Sequence, residues 1–207
     1  MMTLDNFLIY LLISAITVAS PGPGVILTLS NIIRYNFLVT FSGILGIATG
    51  IFIVSLLSIT SIGILLASSA TAFTIVKFIG AAYLIYLGIK LWRAPITPLS
   101  LNKKANKQPL SKHFIEGLTI TLLNPKPIFF FMSLFPQFIN LSKNYALQFG
   151  YLTLSFCGLI ILIHTLYALS AHAAKQCLSS NKGRKNINRA SGSAFILFGV
   201  ALGYTNK

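Results

Sequence analysis

Residues 114–140 read FIEGLTITLLNPKPIFFFMSLFPQFIN, an apolar stretch interrupted by the run NPKP at 124–127. A helix that crosses a membrane needs about 20 mostly apolar residues, and this stretch is long enough. Proline removes a backbone donor and clashes with the carbonyl one turn earlier, so we expect the helix to break near its middle. The run SPGPG at 20–24 interrupts the first apolar stretch in the same way. The two runs predict a membrane protein with two broken helices.

The composition excludes most soluble classes of protein. The 207 residues are 55% hydrophobic and 9% charged, with mean hydropathy +0.81, whereas soluble domains carry about 25% charged residues. Only Asp5 and Glu116 are acidic, so a catalytic carboxylate pair or a carboxylate-rich metal site is hard to assemble. We expect no enzyme activity, no cofactor and no metal. Because the basic residues interrupt apolar runs, the expected partner is the lipid bilayer and not nucleic acid.

Six apolar stretches are candidates for spanning helices, and the 16 lysines and arginines indicate their orientation. Most of these bases lie near residue 34, within 93–113 or within 175–188, and basic loops stay in the cytoplasm. We therefore predict cytoplasmic loops there and both termini outside. The predicted all-α fold has spans at roughly 5–32, 38–66, 71–92, 114–140, 145–171 and 189–205.

The two halves of the chain resemble each other. Residues 77–86, KFIGAAYLIY, and residues 189–198, RASGSAFILF, share a base, a glycine, an alanine and two aromatic residues in register. Each half holds three spans, so the halves are expected to be inverted repeats, as in many secondary transporters. The predicted units are a first three-helix repeat at 1–92, a basic linker at 93–113 and a second repeat at 114–207. A homo-oligomer is left open.

The first break is a candidate substrate site. Pro21 and Pro23 free carbonyl groups that cannot face lipid, while Gly22 and Gly24 permit unusual backbone angles or close approach. Backbone dipoles could meet a polar solute here. The alternative is a simple kink that aids packing.

The second break adds side-chain chemistry. Asn124 offers donors and an acceptor, Pro125 and Pro127 unwind the helix, and Lys126 places a cation deep in an apolar span. Ionisable groups at such depth are costly and usually functional, so Lys126 is the candidate partner of a substrate carboxylate. The alternative is a lysine that snorkels to the interface.

Three further ionisable residues are candidates with open alternatives. Lys77, two turns from the outer end of its span, could assist Lys126 or snorkel. His164, deep in the fifth span, could relay protons or simply hydrogen-bond to a neighbouring helix. Glu116 could gate or carry protons, or could serve as the first-turn acid that favours a helix N-terminus. Small residues let helices approach closely, and we assign this packing role to Gly43, Gly46, Gly50, Gly80 and Gly88.

Four segments resemble the LysE/RhtB family of bacterial amino-acid exporters: SPGPG at 20–24, GILGIATG at 43–50, KFIGAAYLIYLG at 77–88 and GLTITLLNPK at 117–126. The resemblance covers nearly the whole chain. It implies an inner-membrane efflux protein for amino acids or close derivatives, such as threonine, homoserine, its lactone or leucine, driven by the proton-motive force. Many members of the family carry an Asp where Gly24 stands, and that difference disfavours a strongly cationic substrate. Glu116 departs from the usual basic or small residue.

Two other functions stay open at this stage. An ion or metal exporter on the same scaffold is weakened by the scarcity of acidic ligands. A membrane carrier of thiol equivalents would use Cys157 and Cys177, but both cysteines lie in the second half of the chain.

Overall fold

The computed structural model describes residues 4–68, 70–94, 109–140, 144–171 and 180–204. Within these ranges the chain is helical and contains no strands. The linker residues 95–108 and Cys177 lie outside the described residues. The helices, in chain order, are α1 (Leu4–Ala19), α2 (Pro23–Arg34), α3 (Phe37–Ser68), α4 (Ala70–Trp92), α5 (Leu110–Leu122), α6 (Pro125–Phe138), α7 (Tyr145–Leu169) and α8 (Asn181–Tyr204).

Both proline runs break their helices. The axes of α1 and α2 differ by 56°, and those of α5 and α6 by 57°. Gly22, at the start of α2, has φ −156° and ψ 179°, an extended conformation open to any residue. No described residue has a positive φ. The expectation of unusual backbone angles at Gly22 is therefore wrong, because the two prolines bend the chain without them.

The helix limits differ from the predicted spans mainly where polar residues enter. The predicted sixth span corresponds to α8, which begins at Asn181 and not at 189. The first turns of α8 are charged and extend beyond the apolar stretch. The predicted fourth span corresponds to the bent pair α5–α6, which begins at Leu110 and not at 114. Glu116 is therefore in the second turn of α5, which corrects its assignment as a first-turn acid. Asp5 does lie in the first turn of α1.

Four units of the described chain are long and apolar enough to cross a membrane. Two are single helices, Phe37–Ser58 and Tyr145–Leu169, with mean hydropathy 2.3 and 2.0. The other two are the bent pairs α1–α2 and α5–α6, each taken as one span. The chain is thus a membrane protein with several apolar helices.

Glycines bring α3 and α5 into backbone contact. A Cβ at Gly46 would overlap the carbonyl oxygen of Phe114, and one at Gly117 would overlap the carbonyl oxygen of Gly43. A Cβ at Gly50 would lie 2.7 Å from Cβ of Thr121. This stripe allows α5, from the second half of the chain, to pack closely along α3, from the first half.

Glycines also allow α4 to pack closely against α8 and against α6. A Cβ at Gly88 would lie 2.6 Å from the carbonyl oxygen of Gly192, and the Gly192 position is itself covered by Trp92. A Cβ at Gly80 would lie 2.8 Å from Cβ of Ser133 in α6. Small residues therefore set the distances between helices on both sides of the fold.

The core lies between α6 and α7. Its largest fully buried side chains include Phe130, Phe131 and Phe135 of α6, and Phe131 packs edge-on against Phe156 of α7 at 5.0 Å between ring centroids. α1 joins this core through Tyr10, whose ring packs edge-on against Phe138. The first broken helix, α1–α2, also packs on α7, and the second, α5–α6, packs on α3.

We predict that Gly46→Ala lowers the free energy of unfolding by about 1–3 kcal/mol, because the new Cβ forces α5 away from α3. The matched control is Gly158→Ala on α7, where a Cβ would meet nothing within 4 Å. The control should be neutral or slightly stabilising, since alanine favours a helix by roughly 0.5–1 kcal/mol over glycine. Unfolding in mixed detergent micelles measures both variants. Equal stability of the two would contradict the packing assignment.

Candidate functional site

The two breaks meet at a cavity of about 70 Å³. A buried water requires roughly 10–15 Å³ measured in this way, so the space is of the order of five waters, comparable to a small solute. Helices α1, α2, α3, α5, α6 and α7 all contribute to its walls. The residues that line it are Thr17, Val18, Ser20, Gly22, Pro23, Gly24, Val25, Ile47, Ile51, Ile120, Thr121, Asn124, Lys126, Pro127, Phe156, Ile160 and His164.

Lys126 connects the two breaks. Its Nζ donates to the carbonyl oxygen of Thr17 at 3.1 Å and to the hydroxyl of Ser20. In an unbroken helix the amide of residue 21 would donate to that carbonyl, but Pro21 has no N–H. The ammonium also lies 5.7 Å from the ring centroid of Phe195, within range of a cation–π interaction. Lys126 therefore satisfies a carbonyl that Pro21 leaves free.

Tyr167 does the same for the second proline. Its hydroxyl donates to the carbonyl oxygen of Ala19 at 2.8 Å, the acceptor that the amide of residue 23 would have used. Pro23 cannot supply that amide. The last turn of α1 is thus completed by side chains from α6 and α7.

Two helices begin at the cavity. α2 starts at Pro23 and α6 starts at Pro125, and the amides in the first turn of a helix have no partner within it. The side chain of Asn124 accepts from the backbone N–H of Lys126 at 3.0 Å and so caps α6. Helix N-termini favour negative charge. Together with the Lys126 ammonium they give this region a positive electrostatic character.

His164 lies at the wall of the same cavity. Its Nδ1 is 2.7 Å from the hydroxyl oxygen of Thr28 in α2. A Cβ at Gly24 would lie 3.3 Å from Cε1 of His164, so glycine here allows the imidazole to approach α2. The structure therefore shows His164 hydrogen-bonded to a neighbouring helix, which is one of the two roles that the sequence leaves open for it.

A second cavity, of about 510 Å³, lies on the other side of the breaks. It shares Gly22, Pro23, Asn124 and Lys126 with the first cavity. From there it extends past the tyrosines of α4 to Lys90 and Ala94 at the end of that helix. The two breaks are therefore shared by both cavities.

Other predicted site residues lie elsewhere. Glu116 does not line either cavity and instead bonds to Nδ1 of His113 at 3.0 Å. Lys77 belongs to α4, but its side chain, like that of Pro125, lies outside the described part of the chain. Cys157 is a free thiol whose Sγ is 3.6 Å from the carbonyl oxygen of Ala48.

Comparison with known proteins decides the family. The sequence profile of the LysE type translocators matches residues 15–206. The chain belongs to the LysE type translocator family. This translocator is 35% identical over 201 residues to a protein of Salmonella typhi named homoserine/homoserine lactone efflux protein, with 97% of each chain covered. No solved structure matches this translocator.

Two further relatives are each 30% identical to this translocator. A protein of Klebsiella pneumoniae named leucine efflux protein is 30% identical over 164 residues, 76% of this translocator and 77% of the relative. The uncharacterized membrane protein YrhP of Bacillus subtilis is 30% identical over 209 residues, 97% of this chain and 99% of its own. The resemblance found from the four motifs is therefore confirmed.

Sequence reasoning missed several residues of this site. The proline positions contain a signal for Thr17 and Ala19, because counting four residues back from each proline finds the freed carbonyls. Nothing in the sequence identifies Tyr167 as the donor to Ala19 or Thr28 as the partner of His164, since these contacts depend on how α7 crosses α1 and α2.

We predict that Tyr167→Phe destabilises the translocator by about 1–3 kcal/mol, because it leaves the partly buried Ala19 carbonyl without a donor. Tyr10→Phe is the matched control, since Tyr10 also donates across to a backbone carbonyl, that of Leu152, at 2.9 Å. Leu152 lies inside α7, so its carbonyl keeps its helical partner and the loss should stay near 0.5–1.5 kcal/mol. Unfolding in mixed micelles compares the two. A larger loss for Tyr10→Phe would contradict the special role of Tyr167.

Proposed function

We propose that this translocator exports neutral amino acids or their close derivatives from the cytoplasm. The observation that carries the proposal is one cavity that holds the Lys126 ammonium and the N-termini of α2 and α6. A carboxylate is the group that such a cradle binds best. Substrate sites at broken helices are the usual arrangement in secondary transporters. Pro21, Gly22, Pro23 and Gly24 would form one side of the cradle. Asn124, Pro125 and Lys126 would form the other, aided by Lys77.

The lining favours a neutral substrate. No acidic residue lies among the described lining residues, so nothing there would pair with a cationic side chain. The walls also include Ile47, Ile51, Phe156 and Ile160, which suit a short aliphatic chain. Thr17 and Ser20 offer oxygen atoms for an amine or a hydroxyl. Relatives named for homoserine and for leucine fit this class.

Binding would change the partners of Lys126. Its ammonium already bonds to the end of α1, so a substrate carboxylate must compete with the Thr17 carbonyl and the Ser20 hydroxyl. Exchange of these partners would loosen α1 from α6. Because α5 contacts α3 through backbone at Gly46 and Gly117, we propose that these two helices move together during transport.

The proposed architecture has six spans in two inverted repeats, 1–92 and 114–207, joined by the basic linker 93–113. The packing supports it, since the first broken helix packs on α7, the second packs on α3, α3 packs on α7 and α4 packs on α8. A twofold relation between the halves would produce these pairs. The proposed location is the bacterial inner membrane with both termini outside, because basic loops stay inside.

Neither rival function gains a specific observation. Within the described ranges no three His, Cys, Asp or Glu side chains come together as a metal site would require. Cys157 bonds within the helix bundle, and Cys177 is outside the described chain. We therefore retain amino-acid export and propose that the proton-motive force drives it.

We predict that Lys126→Gln reduces exchange of labelled homoserine and leucine in proteoliposomes about 10- to 100-fold, the effect of losing one charged hydrogen bond to the carboxylate. Asn124→Ala should also reduce exchange, because α6 loses its cap. Lys182→Gln, at an exposed position of α8, is the control and should exchange normally. Normal exchange by both Lys126→Gln and Asn124→Ala would overturn the substrate site.

A reporter fused near residue 105 should be active only in the cytoplasm, because the linker holds a cluster of lysines. The matched fusion at residue 207 should report from outside. Reversal of the two signals would overturn the proposed orientation.

A further inference from the structure

One face of α2 joins the two histidines of the described chain. Gly24, Thr28, Asn31 and Tyr35 follow one another at helical spacing of four, three and four residues, so they lie along one stripe. Tyr35 is the residue just after the helix. The stripe rises about 16 Å at 1.5 Å per residue. It runs from the substrate cavity to the opposite end of α2.

His164 contacts the cavity end of the stripe. It bonds to Thr28 at 2.7 Å and its ring lies against Gly24. Thr28 is 1% exposed, and its hydroxyl also bonds to the carbonyl oxygen of Gly24 at 3.0 Å. A hydroxyl can accept one proton while donating another, so Thr28 is a suitable relay beside an imidazole.

His113 contacts the far end of the stripe. It is 1% exposed, and its ring packs edge-on against that of Tyr35 with centroids 4.6 Å apart. Its Nδ1 bonds to the Glu116 carboxylate at 3.0 Å, and the Glu116 side chain is 40% exposed. In the tautomer that donates from Nδ1 to the Glu116 carboxylate, Nε2 of His113 is an acceptor.

Two buried polar atoms in and beside the stripe are available to hydrogen-bond a proton carrier such as water. Nδ2 of Asn31, which is 3% exposed, and Nε2 of His113 have no hydrogen-bond partner among the described residues. Asn31 and the backbone of His113 meet at Gly43, where a Cβ would be 3.1 Å from Nδ2 of Asn31 and 3.6 Å from the carbonyl oxygen of His113. Buried polar atoms of this kind are normally satisfied, often by ordered water.

We propose that this stripe is the proton pathway of the transporter, leading from His164 through Thr28 and Asn31 to the His113–Glu116 pair. The proposal rests on the proposed function. A proton leaving His164 passes the Thr28 hydroxyl and water oriented by Asn31, then binds Nε2 of His113. The Nδ1 proton of His113 moves to Glu116, whose half-exposed carboxylate releases it to solvent. Each proton crosses opposite to the exported substrate.

The charged groups around both ends are compatible with this route. His113 contacts Glu116 of α5 and Tyr35 at the end of α2, and its backbone lies near Gly43 of α3. The charged residues next to these in sequence are Lys112 of α5 and Arg34 of α2. Around His164 the titratable groups are Lys126 across the cavity and Tyr167 on the same helix. Glu116 is the one carboxylate among these groups, which makes it the natural exit for the proton.

The test separates coupling from substrate binding. Purified protein in proteoliposomes is assayed for accumulation of labelled homoserine and leucine driven by an imposed pH gradient, and for exchange without a gradient. Glu116→Gln, His113→Gln and Asn31→Leu should lose gradient-driven accumulation about 10-fold or more and keep exchange within about 3-fold. Thr28→Val should behave likewise. Its matched control is Thr153→Val, a buried threonine of α7 away from the stripe, which should keep both activities.

Each result decides a different question. Wild-type accumulation by Glu116→Gln and Asn31→Leu would overturn the pathway, as would loss of exchange in either variant when it elutes as a folded species. A wild-type protein that exchanges substrate but ignores the pH gradient would overturn the pathway and the proposed proton coupling, and would leave the proposed substrate site standing. Failure of the proposed function is distinct, because Lys126→Gln would then exchange normally.

Discussion

The structure depends on how the proline-freed carbonyls at the end of α1 are satisfied. Pro21 and Pro23 remove the donors for Thr17 and Ala19, and a carbonyl without a donor is costly in a bilayer. Lys126 and Tyr167 donate to these two oxygens. The Ser20 hydroxyl also donates to the Thr17 carbonyl, at 2.9 Å. Side chains from the other half of the chain thus help to complete the break, so the local defect also ties the halves together.

This constraint explains why the site is where it is. A broken helix must face protein or a polar cavity, so both breaks turn inward and meet. Their meeting puts the starts of α2 and α6 and one ammonium in a single space without an acid among its described lining residues. The positive character of the cavity is thus a by-product of satisfying the backbone, and it suits a carboxylate.

Glycine contacts determine which helices can move relative to one another. The stripe from Gly43 to Gly50 places α5 in backbone contact with α3, whereas α1 is held to α7 by hydroxyl donors. Backbone contact is rigid and hydrogen bonds can be exchanged, so the end of α1 is the more adaptable interface. Each half of the chain is therefore interlocked with the other rather than forming a separate body.

The sequence by itself determined the helical membrane class, the two breaks, the family and the glycine-rich faces, because apolar length, proline chemistry and small side chains act locally. It also identified Lys126 as unusual, since a charge in an apolar span is costly wherever it lies. Only the tertiary structure decided that Lys126 bonds to Thr17, that Tyr167 covers Ala19, and that Glu116 pairs with His113 away from the cavity. These contacts join residues about 100 or more positions apart, or follow from where α5 begins, and no local pattern encodes how the helices cross.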